Sequence, residues 1–88
     1  MIDAKEAVRI AMEAMGELYG GEQIPQLMLE EVELSKDERF WHVTLSFTRR
    51  SQMSAIEAMT GQPGVPVYKV LAIEAESGQV HSMKVRQL

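Results

Sequence analysis

Ala4, Ala7, Val8, Ala11, Met12, Met15 and Leu18 recur at three- and four-residue steps, which places them on one stripe of a helix. Lys5, Glu6, Arg9, Glu13 and Glu17 occupy the other side. Asp3 and Glu6 have the spacing of a capping box, in which the Asp3 carboxylate accepts from a first-turn N–H and Glu6 reaches back. Gly20-Gly21 then supplies a left-handed stop. The pattern predicts one amphipathic helix over residues 4–19.

Beyond Pro25 the period shortens to two. Residues 26–35 alternate imperfectly, with Leu27 and Leu29 on one parity and Met28, Val32 and Leu34 on the other, so a bulge near Glu30-Glu31 is expected. Residues 36–39 are a charged turn. Residues 40–48 give the cleanest alternation: Trp41, Val43, Leu45 and Phe47 share one face, and His42, Thr44, Ser46 and Thr48 the other. Residues 67–75 are apolar on both parities, as an interior strand is. Glu76-Ser77-Gly78 turns the chain into a last strand at 79–86. The connection 49–66 is long for a hairpin, and long connections tend to carry function.

A helix followed by four consecutively joined strands predicts an α+β domain spanning residues 1–88, with the helix packed across the apolar face of a four-stranded antiparallel meander. The sheet needs a cover, and the helix is the element available to supply it.

The Ala-rich first helix, the strand Trp41-His-Val-Thr-Leu and the hairpin Ile73-Glu-Ala-Glu-Ser-Gly-Gln-Val80 together resemble a PepSY-type domain. In that family the hairpin reads apolar-Asp-Ala-x-Thr-Gly-x-Val, so Glu74 and Ser77 are conservative departures. The resemblance covers most of the chain. It implies a cystatin-like helix-on-sheet fold and a binding or inhibitory role, often toward peptidases or extracytoplasmic partners, with no catalytic residues to carry over.

Composition narrows this further. Eighty-eight residues suffice for one small domain with a thin core. A net charge of -4 works against a nucleic-acid surface, which draws its affinity from clustered Lys and Arg. No apolar run is long enough to span a bilayer. With no basic, apolar leader at its start the chain is expected in the cytoplasm, or outside it if a leader has been removed. With no cysteine, disulfides and thiolate sites are excluded.

Few residues suggest chemistry. His42 and His81 are the two histidines and lack metal-site spacing, so they read as surface or strand-edge residues. Ser51, Ser54 and Ser77 lack a nucleophile-elbow context and read as loop and turn residues. Glu31 and Glu33 share a parity, and their simplest reading is a solvated face. No cofactor, metal or catalytic residue is assigned, and the chain is expected not to be an enzyme.

Binding is the remaining class. Met53, Ile56 and Met59 are spaced three apart within the long connection, and methionine suits adaptable contact surfaces. With Arg49 and Arg50 as flanking charges, these five are the candidate partner-binding residues. A meander also leaves two open edges, able to take a peptide strand or a second copy. The acidic first strand discourages pairing and the last permits it. The leading expectation is therefore a non-enzymatic protein-interaction module, an inhibitor or regulator of a larger protein. The rival is a small-ligand binder or enzyme with a helix–sheet cavity lined by Trp41, Tyr68 and methionines.

Overall fold

A computed structural model describes residues 1–18, 27–48 and 66–86. The order is α1 (Ala4–Leu18), β1 (Met28–Leu34), β2 (Phe40–Thr48), β3 (Pro66–Glu74) and β4 (Val80–Val85). The four strands form one antiparallel sheet in the order β1-β2-β3-β4, and α1 covers one face. This is the α+β arrangement of a helix on a meander.

Three small or flexible side chains explain how α1 approaches the sheet. Ala7, Ala11 and Met15 lie one turn apart and are fully buried, so the helix comes close to the sheet at its two alanines and inserts its bulk at Met15. Opposite them stand Val43, Leu45 and Phe47 of β2 and Leu71 and Ile73 of β3. Val8, Ile10, Met12 and Trp41 close the margins of this core. Leu18, the last residue of the predicted stripe, is exposed.

The helix start differs in one respect from the capping-box expectation. The Glu6 amide donates to Asp3 Oδ1 at 2.8 Å, so Asp3 is the cap. The Glu6 carboxylate instead accepts from Arg9 Nε at 3.0 Å, and Arg9 also pairs with Glu13. A guanidinium one turn ahead offers a charged donor, which outcompetes a backbone amide for an exposed carboxylate.

The register shift in β1 falls between Leu29 and Glu31, at the position where the alternation breaks. A second shift, between Ala72 and Ile73 against β4, places His81 out of register. The N-terminus is tied to the sheet at both backbone groups of Ile2. Its N–H donates to the Ala75 carbonyl at 2.8 Å, and its carbonyl accepts from Trp41 Nε1 at 3.1 Å.

Candidate functional site

The two β-turns lie at the same end of the sheet. In the first, Ser35 Oγ donates to Asp37 Oδ1 at 2.6 Å, and the Arg39 amide donates to the same oxygen at 3.1 Å. The Ser35 hydroxyl, ahead of the Arg39 amide, holds the Asp37 carboxyl below its ordinary range. In the second turn Gly78 adopts φ 77°, and a Cβ there would meet Ile10 Cδ1 at 3.1 Å. Between the turns lies an open cleft of about 720 Å³, lined by Met1, Asp37, Glu38, Arg39, Phe40, Glu74, Glu76 and His81. Phe40 and His81 meet there with their rings tilted by 46° and their centroids 4.9 Å apart.

Two of the carboxylates of this cleft are engaged within the turns that carry them. Asp37 is committed to Ser35 and Arg39, and Glu74 accepts from the Ser77 hydroxyl at 3.2 Å. Among the described residues no group of three or more His, Asp or Glu is placed to hold a metal ion. Nor is any described helix long and apolar enough to cross a membrane.

The helix–sheet seam is filled where a ligand cavity would need to open, since Ala11, Met15, Leu45 and Leu71 are inaccessible there. Tyr68 pairs with Ser46 in register, on the parity opposite to Trp41, so the two aromatics expected to line one cavity stand on different faces.

Both sheet edges are open among the described strands, and they differ. β1 carries Glu30, Glu31 and Glu33 and is bent by its bulge, two features that discourage strand addition. β4 carries no acidic residue, and its own bulge at His81 lies toward the turn, away from Met83 and Val85. The Arg86 amide donates inward to the Tyr68 carbonyl at 2.9 Å. Backbone groups alternate along a strand with period two, so the amides of Val85 and Met83 point away from β3. Val85 is 61% exposed.

The outer face of the sheet, opposite α1, is not the solvated surface its polar residues suggest. Thr44 and Ser46 are only 2% and 6% exposed, and Ala72 only 7%. Long side chains from the edges reach over them. Arg86 Nη1 donates to Thr44 Oγ1 at 3.1 Å and lies 3.7 Å from Glu31, and Ser46 Oγ donates to Glu30 Oε1 at 2.9 Å. A groove of about 360 Å³ remains open over β3 and β4, lined by His42, Val70, Ala72, Ser82, Lys84, Val85 and Arg86. Sequence reasoning placed His42 on this face but missed the groove, because Thr44, Ser46 and Ser82 are polar yet short enough to form a recessed floor.

The five residues predicted to bind a partner, Arg49, Arg50, Met53, Ile56 and Met59, lie outside the described residues, as does Gly20-Gly21. No family model, no curated protein and no solved structure matches the chain.

Proposed function

We propose that the protein is a non-enzymatic interaction module that captures an extended segment of a larger protein along the open edge of β4, acting as its inhibitor or regulator. The observation that carries this reading is the pair of outward-pointing amides at Met83 and Val85, on an edge without the acidic residues of β1 and beyond the bulge at His81. A segment pairing there gains main-chain hydrogen bonds, with specificity from alternate side chains. Val85 offers an apolar contact on the helix-facing parity, and Lys84 favours a carboxylate on the other.

Val85→Pro removes one outward amide and leaves the inward ladder of β4 intact, because proline is tolerated at an edge position whose N–H faces solvent. A displayed random-peptide library panned against the native protein is expected to yield peptides of alternating apolar character with an acidic residue. Binding of those peptides is expected to fall at least about tenfold in Val85→Pro, the loss of a charge-free hydrogen bond plus steric exclusion. Selection of no peptide by the native protein, or equal binding by a folded Val85→Pro variant, overturns the reading.

A further inference from the structure

Charge is ordered across the outer face of the sheet. One cross-strand row reads Glu31, Thr44, Val70, Lys84, and the next reads Glu33, His42, Ala72, Ser82. The first row runs from acidic Glu31 over Thr44 and Val70 to basic Lys84, and the second from acidic Glu33 over His42 and Ala72 to neutral Ser82. Among the described residues Glu33 and Lys84 take part in no ion pair. We propose that this face is the contact between two copies of the chain, related by a two-fold axis that runs parallel to the strands between β2 and β3.

The charges select that axis. A two-fold parallel to the strands lays β1 of one copy over β4 of the other, so Glu31 faces Lys84 and Lys84 faces Glu31 in the same interface. Glu33 arrives over Ser82, in the open groove bordered by Lys84 and His42. A two-fold across the strands would set the acidic edge on the acidic edge, and like charges at a contact are strongly disfavoured. The contact is self-complementary, as an isologous dimer requires, and it closes without leading to a filament. Val70 and Ala72 in the middle are short, and the Arg86 guanidinium over Thr44 fills part of the space between two sheets at the usual separation of about 10 Å.

Size sets the strength. Four strands about 4.8 Å apart and about six residues long present a face of roughly 400 Å². That is about half of the ~800 Å² per partner found in standard interfaces, which places this dimer among the weak, salt-sensitive ones.

Sedimentation velocity on the full chain, at low salt and at concentrations up to about 1 mM, tests the proposal. The native protein is expected to dimerise reversibly, and added salt is expected to weaken the dimer. Glu31→Lys and Lys84→Glu singly are each expected to weaken association about tenfold or more, because these two residues face each other twice in the interface and each substitution creates two symmetric repulsions. The double variant Glu31→Lys/Lys84→Glu restores opposite charges and is expected to recover association to within about threefold of the native value. Circular dichroism confirms that each variant is folded. Val85→Pro, which blocks the β4 edge, is expected to leave this dimer unchanged. A native protein that stays monomeric at the highest concentration overturns the proposal, as does a dimer indifferent to both charge reversals. A dimer lost in Val85→Pro but kept in Lys84→Glu is an edge-paired dimer and also overturns it.

Discussion

The two faces of the sheet are built from alternate residues of the same strands, yet they solve different problems. On the helix side Val43, Leu45, Leu71 and Ile73 are fully inaccessible, and most of the bulk is supplied by the sheet while α1 contributes two alanines and Met15. On the outer side the floor is short, with Thr44, Ser46 and Ala72, and cover comes from long side chains at the edges, Arg86 and Glu30. Burial alone therefore does not distinguish a core from a recessed surface. The distinction lies in what does the covering: packed apolar side chains on one face, and on the other a guanidinium and a carboxylate whose charged ends stay near water.

Neighbouring residues of β3 separate the two faces most sharply. Leu71→Ala is expected to cost about 2–5 kcal/mol, because it empties space at the centre of the helix–sheet core. Val70→Ala, one position away on the outer face, is expected to cost about 1 kcal/mol or less. Urea denaturation of the two variants checks the ratio, and equal losses would mean that the outer face is packed as tightly as the inner one.

Gly78→Ala comes next. The positive φ disfavours any side chain, and the added Cβ would crowd Ile10 from the helix side, so a loss of about 1–2 kcal/mol is expected in the same measurement.

The smallest effect belongs to the turn that joins β1 and β2, outside both faces. Asp37 has a depressed pKa, so the stability it contributes is present above its unfolded-state pKa and is lost as pH falls through the lower folded-state value. Glu6, depressed chiefly by its hydrogen bond from Arg9, acts in the same direction. Stability is expected to decline as the solution is acidified below about pH 4, and Asp37→Asn is expected to show a shallower decline. Unfolding followed from about pH 6 to pH 2.5 checks the slope.

Much of the architecture was legible because the patterns were local. The Asp3 cap and the three-and-four spacing marked α1, and the broken alternation at Glu30 marked the first bulge. Features that depend on distant partners were not. The bulge at His81 follows from pairing against Ala72 and Ile73, and β4 is too short for a disturbed alternation to stand out. Glu38 adopts φ 59° although nothing in its residue type requests it, because Asp37 and Ser35 tie the turn from both sides. For the candidate site, the edges followed from counting strands. The groove and its opposed charges emerged only once the register placed Glu31 and Lys84 at the two ends of one row.

The bond from Trp41 to Ile2 gives the molecule an internal optical reporter. The chain has a single tryptophan, so its emission comes from one indole held between the second strand and a residue 39 positions earlier in the sequence. Release of the N-terminal residues frees that indole N–H while leaving every strand-to-strand bond in place, and the emission spectrum thereby follows the attachment of the chain's beginning separately from the integrity of the sheet.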